Sequence, residues 1–145
     1  MVRSSLLGGT AAALTLVASA SVAQAAPAAL PVTFTVNTTF EEPPLPDTFT
    51  SDLAGCTSGT VADPAPRTRF TPWGGVYVGI KSFTCADGAS GFDLRLTARF
   101  SDSGATGHWT LLDGWGDLEG LKGSGSLTGI PTESGIDDIY TGFLR

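Results

Sequence analysis

The sequence predicts an all-β protein, an antiparallel eight-stranded barrel, and three observations carry that prediction. Apolar residues recur at every second position through most of the chain beyond residue 31, the period of a strand with one buried face. Nineteen glycines and nine prolines penalise helix interiors and punctuate the chain with turns. Two cysteines, Cys56 and Cys85, suit the staple of a small exported domain.

The first 25 residues read as an export signal. Arg3 supplies a basic start, residues 6–22 form an apolar run, and Ala23-Gln24-Ala25 matches a small-x-small cleavage site. Thr10, Thr15, Ser19 and Ser21 interrupt the run and no basic residues follow it, which favours a cleaved signal over a membrane anchor. No cysteine stands at the cleavage point, so a lipid anchor is not expected. The mature chain is then residues 26–145, a single secreted, extracellular domain. No later segment approaches the roughly 20 apolar residues needed to span a bilayer, so no membrane association is expected after cleavage.

Charge narrows the partners. The net charge is −6, whereas phosphate recognition requires an excess of Lys and Arg, so no nucleic-acid partner is expected. Two cysteines and one histidine are too few for a zinc ribbon, an iron–sulfur cluster or a His-rich metal site. In an oxidising compartment Cys56 and Cys85 read as a disulfide, since the C-x-x-C spacing of thiol oxidoreductases is absent.

The strands follow in order. Val32, Phe34, Val36 and Phe40 share one face, with Thr33, Thr35 and Asn37 on the other. Residues 41–46 hold three prolines and two glutamates and form a loop. Pairing resumes at 48–50, and 52–59 is a turn region carrying Cys56. A Pro-containing turn at 62–66 leads to a short strand at 67–70. Val76, Val78 and Ile80 then alternate with Tyr77, Gly79 and Lys81 in a strand ending at Phe83 and Cys85. Residues 87–91 make a hairpin turn. Phe92, Leu94, Leu96, Ala98 and Phe100 return on one face, opposite Asp93, Arg95, Thr97 and Arg99, a half-buried antiparallel pattern. Trp109 and Leu111 share a side of the strand at 107–112, residues 113–117 form a Gly-rich corner, 118–129 is a glycine-punctuated strand, and 139–144 closes the chain.

Seven or eight short strands leave a barrel or, as the alternative, a β-sandwich. Gly123, Gly125 and Gly129 share one face, where they permit sharp coiling. The apolar last strand suits pairing that removes an edge. Both features favour the barrel.

Chemistry-bearing residues are sparse. Residues 108–119 hold the one histidine, His108, together with Trp109, Trp115, Asp113, Asp117 and Glu119. His108 as a general base conflicts with strand parity, which sends it outward if Trp109 is inside. A calcium loop through Asp113, Asp117 and Glu119 conflicts with Trp115 at a ligand position. Asp137 and Asp138 point to opposite faces of any strand and read more simply as solvated turn residues. Arg67, Arg69, Lys81, Arg95 and Arg99 form a possible anion-binding stripe, although cross-strand acids explain Arg95 and Arg99 more simply. Ser124 lies in Gly-Ser-Gly-Ser without the strand-to-helix context of a nucleophile elbow. Asn37-Thr38-Thr39 matches a glycosylation sequon. No catalytic residue, metal or cofactor is therefore assigned. The aromatic set of Phe70, Trp73, Tyr77, Phe83, Phe92, Phe100, Trp109 and Trp115 either fills a small barrel or lines an apolar cavity. For a cavity the candidate ligand-binding residues are Tyr77, Phe92, Leu94, Trp109 and Trp115.

The strings GIKSFTC, FDLRL, GHWTLLDGWGDLEGLKGSGSLTG and DDIYTGFLR resemble small secreted bacterial proteins of the allene oxide cyclase barrel-like group, which includes dirigent-type folds. The residues carrying the resemblance are Gly79, Lys81, Phe83, Cys85, Gly107, Trp109, Gly114, Gly116, Leu118, Leu121, Gly123, Gly125, Tyr140 and Gly142. The resemblance spans roughly residues 76–144. It implies an eight-stranded antiparallel barrel, sometimes with an apolar cavity and sometimes oligomeric, and no particular reaction.

Three functions follow. The leading one is a non-catalytic barrel binding a small apolar molecule or an extracellular protein. The second is a cyclase or isomerase using one polar group in an apolar cavity, which needs an inward carboxylate or His108. The third is a secreted inhibitor or surface-interaction protein presenting the loop at 41–46.

Overall fold

The computed structural model describes residues 28–145, so the expected signal, residues 1–25, lies outside the described residues. Nine strands follow in order: β1 (Leu30–Thr39), β2 (Asp47–Ser51), β3 (Ser58–Ala62), β4 (Arg67–Thr71), β5 (Gly74–Cys85), β6 (Gly91–Ser101), β7 (Gly104–Trp115), β8 (Gly123–Pro131) and β9 (Gly135–Leu144). A 3-10 turn at Gly116–Leu118 separates β7 from β8.

Every pairing is antiparallel. β1 pairs β2, β2 pairs β3, β3 pairs β5, and the ladder runs on through β6, β7, β8 and β9 back to β1. This closes an eight-stranded barrel, as the glycine pattern and the apolar last strand predict, rather than a sandwich. β9 pairs along all ten of its residues with β1, so closure leaves no free edge there. β4 is the ninth strand and lies outside the ring. It pairs with the first half of β5, through Arg67 opposite Val78 to Thr71 opposite Gly74, while β3 pairs with the second half.

The strands place two groups of inward side chains at opposite ends. At one end Phe34, Phe49, Phe83, Phe92, Leu94, Trp109 and Tyr140 are almost completely buried. Phe34 touches four rings, with centroids 5.9 Å from Phe83, 5.6 Å from Phe92, 5.4 Å from Trp109 and 5.8 Å from Tyr140. Phe83 and Phe92 lie opposite each other across the β5–β6 ladder and stack at 4.8 Å. Such pairs add about 0.5–1.5 kcal/mol each beyond the area they bury. Trp109 fits because Gly142 and Gly125 face it. A Cβ on Gly142 would stand 2.5 Å from its Cζ2, and one on Gly125 2.7 Å from its Nε1. The indole nitrogen donates to the carbonyls of Ser126 and Thr141 at 3.2 and 3.3 Å.

Cys56 and Cys85 form the expected disulfide, 29 residues apart. It ties the β2–β3 connection to the end of β5 and adds roughly 3–4 kcal/mol by constraining the unfolded chain. The hairpin turn at 87–91 is held by Asp87, whose Oδ1 accepts from the Ala89 and Ser90 amides at 2.9 and 3.0 Å. These backbone donors hold its carboxyl below the usual carboxylate range.

Three local readings change. Residues 118–122 are not strand, since a 3-10 turn and a short connection precede β8, which starts at Gly123. In β5, where alternation leaves the faces open, Gly75, Tyr77, Gly79, Lys81, Phe83 and Cys85 point inward and Val76, Val78 and Ile80 outward. Asp137 and Asp138 are not turn residues but stand within β9. A bulge between β6 and β7 pairs Asp93 with Asp113 and then Leu94 with Leu111, so β7 runs on to Trp115 instead of stopping at 112.

Candidate functional site

The half of the barrel away from the aromatic core is open. Glycines recur on its inward faces, at Gly75 and Gly79 on β5, Gly107 on β7 and Gly129 on β8, beside Lys81, Ala98, Ala105 and Asp138. A cavity of about 590 Å³ opens at this end. Its apolar wall is Leu96, Ala98, Phe100, Ala105, Leu127 and Ile136, and its polar wall includes Asp63, Tyr77, Lys81 and Asp138. Phe40 borders it beyond the end of β1 and is exposed. A depression of about 710 Å³ elsewhere is floored by Thr33, His108, Ser124 and Thr141, outward side chains of the wall, and encloses nothing.

Strand register assembles the polar wall. In the β3–β5 ladder Val61 stands opposite Phe83 and Ala62 opposite Ser82, so the next step brings Asp63 opposite Lys81. Lys81 Nζ lies 2.8 Å from Asp63 Oδ2 and 3.9 Å from Asp47 Oδ2. Lys81 is only 7% exposed, a depth at which a lysine needs a charged partner. Tyr77 lies along the strand towards Gly79, where a Cβ would stand 2.5 Å from its hydroxyl. That hydroxyl donates to Asp63 Oδ1 at 2.8 Å, and Lys81 Nζ sits 5.5 Å from the Tyr77 ring centre.

β9 contributes Asp138 and, two residues on and on the same face, Tyr140. Burial pushes the Asp138 carboxyl above the usual carboxylate range, against the pull of Lys81, and the charges of Asp47, Asp137 and Asp63 push the same way. Burial also raises Asp47, although Lys81 and a hydrogen bond with Thr38 oppose it. Tyr77 is held well above the ordinary phenol range by burial and by its bond to Asp63. Tyr140 is raised likewise, first by burial and then by Asp138. Asp138 Oδ1 and the Tyr140 hydroxyl are buried without a hydrogen-bond partner. Oδ1 packs against Gly129, where a Cβ would collide with it, and Tyr140 lies beneath the cavity rather than in its wall.

The residues singled out from sequence divide between the two halves. Tyr77 lines the cavity. Phe92, Leu94 and Trp109 belong to the packed end, and Trp115 stands over Gly91 beside it. His108 is exposed on the outside of β7, as parity predicts, and Asp113, Asp117 and Glu119 are exposed too. Among the described residues no three His, Cys, Asp or Glu side chains converge as a metal site. The basic stripe does not exist as a unit, since Lys81 points inward while Arg67, Arg69, Arg95 and Arg99 do not line the cavity with it, apart from the outward Arg67 and Arg69 on β4 sharing an outer surface. Arg95 lies opposite Ile80 and Thr110, and Arg99 opposite Val76 and Thr106, so neither faces an acid across the ladder. Asn37 Nδ2 donates to Asp137 Oδ1 at 2.7 Å on the outer face.

Sequence reasoning did not place Lys81, Asp63, Asp47, Asp138 and Tyr140 in one site. A signal for three of them was present. Counting back by twos from Phe83 puts Lys81 inside, and counting back from Leu144 puts Tyr140 and Asp138 inside.

No protein-family model, curated protein or solved structure matches the chain. No helix among the described residues is long and apolar enough to cross a membrane.

Proposed function

We propose that this is a secreted, non-catalytic binding module that takes a small, largely apolar molecule into the open half of its barrel. The carrying observation is the cavity of about 590 Å³ with its wall of Leu96, Ala98, Phe100, Leu127 and Ile136. Cavities of roughly 300–1,000 Å³, mostly apolar with a few placed polar groups, are those that hold small ligands. The disulfide supports an oxidising compartment, in keeping with the export signal read from residues 1–25.

Native mass spectrometry of protein recovered from its host's culture medium tests this directly. The expected result is extra mass that disappears on denaturation, leaving the disulfide-bonded chain of residues 26–145. A bare chain that also fails to take up an added apolar probe would overturn the proposal.

The second reading is an enzyme of the cyclase or isomerase type, in keeping with the resemblance to the allene oxide cyclase barrel-like group. Asp138 favours it, because an inward carboxyl raised by burial holds a proton more readily than a free one and stands in the cavity where a substrate would lie. Release of the bound molecule in a chemically altered form, lost in Asp138→Asn, would replace the binding module with the enzyme.

A further inference from the structure

We infer that the open half of the barrel selects apolar molecules that carry a basic nitrogen, with Asp138 as the partner of the protonated amine. The inference rests on the reading of the barrel as a binding module and names the class of ligand it would hold.

Asp47, Asp63 and Asp138 stand against one cation, Lys81. Both salt bridges among the described residues are made by Lys81, and they use Asp63 at 2.8 Å and Asp47 at 3.9 Å. Its ammonium is therefore already engaged, and a ligand carboxylate reaching it would enter a site with excess negative charge. Asp138 is left over. It lines the cavity, and its Oδ1 is buried against Gly129 without a hydrogen-bond partner, which leaves Oδ2 as the oxygen a ligand would meet. A part-buried carboxylate short of donors is costly, and a ligand ammonium at Oδ2 would supply both a donor and the countercharge.

A further feature fits the same ligand. The rings of Phe40, Tyr77 and Phe100 border the cavity, and aromatic faces attract cations over apolar surface. The apolar wall then accommodates the hydrocarbon body. A neutral alcohol could occupy the same space, but it would leave the Asp138 charge unanswered.

Octylamine, octanol and octanoate share a chain length and differ in head group, so their binding to the disulfide-bonded mature chain at neutral pH separates the possibilities. Calorimetry is expected to show octylamine binding at least about tenfold more tightly than octanol, the scale of one charge-assisted hydrogen bond, with octanoate weakest. In Asp138→Asn the preference for octylamine over octanol should vanish while octanol affinity is retained, which also reports that the cavity is intact. Equal affinity of amine and alcohol, tightest binding of octanoate, or an amine preference that survives Asp138→Asn would each overturn the inference and leave the binding-module reading standing. Failure of all three probes to bind would overturn both.

Discussion

The two ends of the barrel are built on the same strands yet solve different problems. Towards the closed end β5, β6, β7 and β9 turn Phe83, Phe92, Trp109 and Tyr140 inward, and the rings fill the space. Towards the open end the same strands turn Lys81 and Gly79, Ala98, Gly107 and Ala105, and Asp138 inward. Small and charged residues thus interrupt the inward rows at this end, among Tyr77, Phe100 and Ile136, while the diameter of the ring is set by closure. A barrel of eight strands is just wide enough for large side chains to fill it, so small ones leave a cavity. One end supplies stability, and the other spends some of it on buried, incompletely paired polar groups.

Replacing Trp109 with alanine should be the largest perturbation. It empties the space between Gly125 and Gly142 and removes one of the four rings around Phe34. The expected loss is about 3–5 kcal/mol, read from the midpoint of urea unfolding. A loss below about 1 kcal/mol would break the distinction between a packed end and an open one.

Lys81→Met ranks next, at about 2–3 kcal/mol destabilising. Removal of the one cation leaves Asp47 and Asp63 facing each other and takes away the weaker pull that Lys81 exerts on Asp138. The figure lies below that for a fully buried pair because the Asp63 side chain is 33% exposed. Adding Asp63→Asn should recover part of the loss, and the coupling measured by that double-mutant cycle sharpens how much the ion pair contributes.

Asp138→Asn should act in the opposite direction. Asp138 faces Lys81, Asp47, Asp63, Asp137 and Tyr140, and burial raises its carboxyl in the folded state. A raised carboxyl means that the folded state binds the proton more readily than the unfolded one, so its contribution to stability declines as pH rises through the raised range. At neutral pH the neutral amide should therefore stabilise the ligand-free protein by about 1 kcal/mol, or roughly 2–5 °C in Tm. The gain should shrink as acid protonates Asp138 in the parent chain. A Tm lowered at neutral pH would mean that the carboxylate is compensated rather than exposed to a waiting partner.

Much of the barrel was legible in the chain. The alternation of Phe92, Leu94, Leu96 and Ala98 marked β6, the turn at 87–91 marked its hairpin, and Cys56 and Cys85 marked the disulfide. The site was far less legible. Val76, Val78 and Ile80 make the outer face of β5 as apolar as the inner one, so local hydropathy competes with the count back from Phe83 that puts Lys81 inside. Asp137 and Asp138 look alike in the string, and only their positions in β9 send one outward to Asn37 and the other into the cavity.

The sequence by itself determined that the chain forms short antiparallel strands, that two cysteines staple them and that the strands can close, because those properties follow from period-two patterning, turn residues and composition. Tertiary structure alone decided which face of β5 is inside, that β3 and β4 share one edge of it, and that Asp63, Asp47, Lys81 and Asp138 meet around one cavity. The reason is that ring closure and register join residues far apart in the chain, and a strand's own alternation has two faces but does not say which one the ring will enclose.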